Sequence, residues 1–139
     1  MPDHPLSRRI ADVLELQPDA AAIEYDGQWF TWGQVADLAH RVGSLDVRDR
    51  QVGILLRNRP EHVATLIGVL LSGGTVVAIN PSRGDDRTRA DIDAMRLPRI
   101  IGARDDLRTL VAPSAHTTTA SISGLDDGPR EIPLDKVAR

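Results

Sequence analysis

Cysteine is absent from these 139 residues, which removes disulfide frameworks, cysteine-ligated zinc and thiol nucleophiles together. Lysine is nearly absent. Lys136 is the only one among 17 basic residues, so chemistry that needs an ammonium group must use it or a residue outside this chain. Aromatic residues make up 3% of the chain, too few for platforms on which bases stack. No apolar run approaches the roughly 20 residues of a membrane helix, and the N-terminus lacks a basic-then-apolar signal. An excess of charge is also missing. The net charge is -3 and the isoelectric point about 5.7, so no partnership with nucleic acid or an anionic membrane is expected. The expectation is a cytoplasmic protein one domain in size, able to bury a core without cross-links.

What is present is a run from Gln51 to Pro81 that reads strand, helix, strand. Gln51–Leu56 is an apolar segment of strand length. Pro60 fits the first turn of a helix, Asn58 is a good N-cap, and Glu61 stands where a capping-box acid belongs. Val63, Leu66, Ile67 and Leu70 follow at the 3-and-4 spacing of one buried face. Gly73-Gly74 stops the helix, since glycine enters the left-handed C-terminal conformation without steric cost. Thr75–Ile79 is rich in β-branched residues and ends at Asn80-Pro81. A crossover of this length joins parallel strands right-handedly.

The flanks extend the pattern. Ser7 can cap a first helix with Ile10, Val13 and Leu14 on one face. Ala21–Tyr25 and Gln28–Phe30 flank Asp26-Gly27, a strong hairpin signal. Thr31 and Gln34 form a capping box ahead of Val35, Leu38, Ala39 and Val42. A helix from about Asp85 carries Asp85/Arg89 and Arg89/Asp93 at i,i+4, and Pro98 terminates it. Arg99–Gly102 is a third parallel strand, Asp105–Val111 a short helix and Thr117–Ile122 a last strand. These elements predict an α/β fold, a mostly parallel sheet flanked by helices, with an N-terminal β-hairpin. Residues 1–123 form the α/β unit, and 124–139 an edge or linker segment.

Open parallel sheets bind ligands at the carboxyl ends of their strands. Two such ends are visible, at Arg57-Asn58-Arg59 and at Asn80-Pro81-Ser82-Arg83. Arg57, Asn58, Asn80 and Ser82 are therefore the candidate ligand-facing residues, with an arginine suited to a phosphate or carboxylate. The competing reading makes Asn58 a cap and the arginines solvated. Gly73-Gly74 follows a helix and precedes a strand, the reverse of a phosphate-cradling loop. His4, His40, His62 and His116 show no zinc-pair spacing and read as surface or partly buried imidazoles. Ser114 lacks the glycine-flanked turn of a nucleophilic serine. Trp29 and Trp32 bracket the corner between hairpin and helix, as packing or as a stacking site.

Two segments carry a family resemblance. The run AAIEYDGQWFTWGQV, with Asp26, Gly27, Thr31, Trp32 and Val35, resembles the opening of adenylate-forming enzymes, the acyl-CoA synthetase, luciferase and peptide-synthetase adenylation superfamily. The central run is similar again, through Val52, Leu55, Leu56, Asn58, Glu61, Gly73, Val76, Val77, Asn80 and Pro81. RIIGARDDL adds a third, shorter match. The similarity spans about residues 10–110 and looks nearest to bacterial fatty acyl-CoA ligases. It implies the N-terminal subdomain of the acyl-CoA synthetase-like fold. It also implies a parent reaction in which a carboxylate and ATP give an acyl-adenylate, followed by a thioester with CoA.

The departures are as informative. The family's phosphate loop, its adenine- and ribose-binding motifs and its C-terminal catalytic lysine have no counterpart here, and Lys136 lies in no matching motif. No catalytic, cofactor-binding or metal-binding residue of the family maps onto this chain. ATP, Mg and CoA are implied for the complete enzyme, and turnover by the isolated chain is not expected. The implied partners are the remaining subdomains of a parent ligase, or a second copy through exposed apolar surface. A free-standing interaction module and an unrelated small nucleotide-binding protein are the alternatives.

Overall fold

The computed structural model describes residues 4–132; Lys136 and the end of the 124–139 segment lie outside them. Helix α1 (Pro5–Leu16) precedes a hairpin of β1 (Ala21–Tyr25) and β2 (Gln28–Thr31), then α2 (Trp32–Val42). The main body follows as β3 (Gln51–Leu55), α3 (Pro60–Leu71), β4 (Thr75–Ile79), α4 (Asp85–Met95), β5 (Arg99–Gly102), α5 (Arg104–Leu110), β6 (Thr118–Ser121) and β7 (Arg130–Ile132). The sheet order is β4-β3-β5-β6-β7, parallel except for β7, which pairs antiparallel with β6. The α/β architecture is the expected one. Thr117–Ile122 is not the last strand, because three residues of β7 extend the sheet beyond it.

The chain runs outward from β3 to edge strand β4, then back past β3 to β5. Right-handed crossovers in opposite directions place α3 on one face of the sheet and α4 with α5 on the other. The core divides accordingly. Val52, Ile54 and Ile101 pack with Val35, Leu38, Val42 and Val69 of α2 and α3. Leu55 and Ile100 pack on the opposite face with Ile92, Leu107 and Leu110 of α4 and α5. Leu14 of α1 lies against Ala39 and Leu71, a third layer outside α2 and α3.

Local chemistry explains the hairpin and α2. Asp26 and Gly27 both have positive φ, 53° and 76°, the pair of left-handed residues that matches the twist of a two-residue hairpin. Thr31 accepts the Gln34 N–H, and the Gln34 side chain accepts the Thr31 N–H, so the capping box is closed. Where α2 crosses α3, a Cβ on Gly68 would stand 2.6 Å from the Ala39 carbonyl oxygen.

Several local expectations need correction. His4 caps α1, its Nδ1 accepting the Leu6 N–H, while Ser7 is buried and donates to the Leu70 carbonyl at 2.7 Å. Val13 is exposed. The N-cap of α3 is Arg59, extended and without a side-chain cap, so Asn58 does not fill that role. Buried Ala64, Thr65, Gly68 and Val69 define the inner face of α3, and Val63 is exposed. Helix α4 ends at Arg96, whose φ of 49° turns the chain before Pro98 is reached. Arg89 pairs with Asp86 at 2.8 Å and donates to the Thr109 carbonyl, instead of bridging Asp85 and Asp93.

On central strand β5, Arg99 is buried and reaches across β6 to Glu131 of β7 at 3.1 Å. Among the described residues that contact is its one ion pair, and its Nη1 has no partner. No described helix is long and apolar enough to cross a membrane.

Candidate functional site

Strand order fixes where a ligand site would lie. The order reverses between β3 and β5, and the crevice outside their carboxyl ends is the topological switch point of such sheets. Arg57 sits there. Its Nε donates to Asp106 Oδ2 at 2.9 Å and its Nη2 to Asp106 Oδ1 at 2.8 Å, a two-point clamp from the end of β3 to the first turn of α5. Planar guanidinium and planar carboxylate suit this fork-to-fork geometry. The bond to Asp106 holds the Arg57 guanidinium in its charged form, above the ordinary arginine value, with burial opposing. Arg57 Nη1 also donates to Ser82 Oγ at 3.3 Å.

Ser82 is placed by the turn after β4. Asn80 Oδ1 accepts the Ser82 N–H at 2.9 Å, closing the single 3-10 turn Pro81–Arg83. Three of the four strand-end residues therefore meet, Arg57 with Ser82 directly and Asn80 through the Ser82 backbone. Asn58 does not join them. It is exposed and, among the described residues, makes no side-chain hydrogen bond.

Two members of this constellation are not expected from sequence. Asp106 falls there only within the short helix Asp105–Val111; the missed signal is that Gly102-Ala103 is a third carboxyl end of the same sheet. His62 is fully buried, contrary to the expectation of a surface or partly buried ring. Its Nδ1 accepts the Arg57 N–H at 2.9 Å, and its Nε2 has no partner. Burial pushes the His62 pKa down, with Arg59 in the same direction; Glu61, the Leu55 carbonyl and Asp106 oppose this.

Beside the clamp, an open cleft of about 410 Å³ separates the hairpin from the start of α3 and the loop after β6. Its lining includes Tyr25, Asp26, Arg59, Glu61, Asp126 and Asp127. Four acids against one arginine give the wrong sign for nucleotide phosphates. Arg57, the other candidate anion holder, is already engaged by a carboxylate of its own chain. Among the described residues no three His, Asp or Glu side chains are grouped to hold a metal ion. The donor set does not fit ATP and Mg, and no chemical step runs through them here.

A doubly wound α/β unit with an arginine–aspartate clamp across its strand ends is the class of structure these observations define. Its family follows from sequence. The model of the AMP-binding enzyme family matches residues 10–136, and the chain belongs to that family. A linear gramicidin synthase of Brevibacillus parabrevis is 28% identical over 136 residues, covering 91% of this chain and 3% of that protein. Bacitracin synthase 1 of Bacillus licheniformis is 30% identical over 95 residues, covering 62% of this chain and 2% of that one. Among solved structures, the Klebsiella oxytoca NpsA N-terminal subdomain in complex with anthranilyl-AMSN superposes with a TM-score of 0.67 at 16% identity, over 85% of this chain and 30% of that one. A nonribosomal peptide synthetase, FmoA3, in its α-methyl-L-serine-AMP bound form gives 0.75 at 21%, over 95% and 16%. The chain thus spans a small part of the relatives it matches. These relatives bear the names of peptide synthases, not of the bacterial fatty acyl-CoA ligases expected from the sequence.

Proposed function

We propose that this chain is the N-terminal portion of an adenylate-forming ligase and serves as its scaffold, with no turnover of its own. The family match over residues 10–136 carries this reading. ATP, with Mg, would supply the activated phosphorus that a carboxylate attacks, and a thiol would then take the acyl group. Those reactants would be held by the remaining subdomains of the parent protein, since this chain offers neither a phosphate loop nor, among the described residues, a metal-ligand cluster. The peptide-synthase names of the relatives favour an amino acid as the carboxylate and a carrier-protein thiol as acceptor. A fatty acid with CoA as acceptor is the finer reading of the resemblance and is the comparison to run. A cytoplasmic site of action is part of the proposal.

Within it, Arg57, Asn80 and Ser82 fix the loops at the switch point, and Asn58 is the strand-end residue free to meet a ligand. Residues 1–123 would be the main α/β unit, and 124–139 its edge, through β7, and the link onward. The experiment has two stages. Immunoblotting of source cells sizes the native polypeptide; a band several times larger than 15.1 kDa supports the proposal. ATP–pyrophosphate exchange by that whole polypeptide is then measured with amino acids and with fatty acids. Exchange with amino acids supports the proposal, and exchange with fatty acids alone restores the acyl-CoA ligase reading. A native band near 15 kDa overturns it and favours a free-standing interaction module.

A further inference from the structure

We propose that His62 is an acid-sensitive latch, tying the carboxyl end of β3 to the first turn of α3 while neutral and releasing it on protonation. The geometry sets the protonation state. Nδ1 accepts the Arg57 N–H at 2.9 Å, so the single proton of the neutral ring resides on Nε2. A second proton, taken from solvent, can bind only at Nδ1. There it would face the Arg57 N–H, and two donors would oppose each other at a site with no exposure to water. The bond cannot survive that step, and a buried donor without an acceptor is costly.

The latch bears on more than one amide. Arg57 lies just beyond β3, and the same residue clamps Asp106 and touches Ser82. Releasing its backbone frees the segment that joins the ends of β3, β4 and β5. The charged groups around the ring divide in sign. Glu61 from its own helix and Asp106 from α5 favour the charged ring, as does the nearby Leu55 carbonyl of β3; Arg59, just ahead of α3, opposes it. Burial outweighs the favourable group, so the neutral ring is the resting form at neutral pH.

The sign of the pH effect follows. A base whose pKa is lower folded than free contributes stability that is complete above the free value, about 6.5 for histidine. That stability declines as pH falls below it, until the lowered folded value is passed. Opening of this turn should therefore become easier on acidification.

The test uses the 139-residue chain. Amide exchange at Arg57 is followed by NMR between pH 7.5 and 5.5, with imidazole nitrogen shifts recorded for His62. Protection of the Arg57 amide, corrected for the intrinsic rate, should fall on the order of tenfold between pH 6.5 and 5.5. His62→Asn places an oxygen where Nδ1 stood and cannot titrate in this range; its protection should stay flat. His62→Phe, with no acceptor, should lose protection at every pH. Equal pH dependence in wild type and His62→Asn would overturn the latch. So would a nitrogen spectrum placing the neutral proton on Nδ1, a result that needs no variant to fold.

Discussion

Arg57 and Asp106, 49 residues apart in sequence, share two hydrogen bonds of 2.9 and 2.8 Å, and the Asp106 side chain is only 15% exposed. Two-point charge-assisted contact with partial burial lifts this pair above an ordinary surface bridge. Asp106→Ala should lower unfolding free energy by about 1–2 kcal/mol. Urea titration of both single variants and the double variant isolates the coupling. Single-variant losses that simply add would show that the clamp contributes nothing.

At the α2–α3 crossing, Gly68→Ala sets two effects against each other. Alanine gains about 1 kcal/mol of helix propensity, yet its Cβ would stand 2.6 Å from a backbone carbonyl and 2.9 Å from Val42 Cβ. Overpacking of this kind costs about 1–3 kcal/mol, and backbone cannot swing aside as a side chain can. The melting temperature should fall; a rise would mean that the helices separate freely.

The hairpin turn gives a cleaner comparison. Gly27→Ala puts a Cβ at φ 76° with no atom within 4 Å, so the whole cost is conformational, about 1 kcal/mol. Asp26→Asn should be neutral or slightly stabilising, since asparagine tolerates the left-handed region. Chemical denaturation of both variants checks the ordering.

Thr31→Ala opens the capping box of α2 and should cost about 1 kcal/mol. Thr31→Ser should restore most of it, which separates loss of the hydroxyl from loss of the methyl group. Thermal melts of the two variants side by side decide the point.

Trp29 on the hairpin is 59% exposed and Leu16 on α1 is 74% exposed. A contiguous apolar patch would favour self-association, and these two side chains are where the expectation of a second copy as partner can be tested. Mass by light scattering should rise with protein concentration, and Trp29→Lys should reduce the rise if the hairpin takes part. A constant monomer mass would count against this.

The elements legible in the sequence are those that nearby residues decide. The Asp26-Gly27 turn, the Thr31–Gln34 box and the β-branched β4 each follow from chemistry within a few positions. Helix α3 is legible as a helix but not in its orientation. It is apolar around most of its circumference, so periodicity does not choose a side. Ile67 packs into two core clusters, and the closest approach is made by Gly68, which a hydrophobic pattern does not register. The N-cap of α3 falls at Arg59, one residue past Asn58, and makes no side-chain bond, so the capping rules do not find it. At the candidate site, Arg57 and Ser82 are legible from strand ends, whereas Asp106 is not, because nothing local distinguishes a clamped acid from one complementing a helix start. Strand β7, with three residues and mixed charge, carries too little pattern to be read.

The Arg99–Glu131 pair has a consequence for how the molecule is made. Arg99 belongs to the middle strand, yet its counter-charge is supplied 32 residues later. As the chain leaves the ribosome, β3, α3, β4 and β5 can assemble while that guanidinium is still uncompensated. Burying it at that moment would leave a lone cation in an apolar layer. The guanidinium is therefore compensated only once β7, the last of the described strands to be synthesised, has joined the sheet.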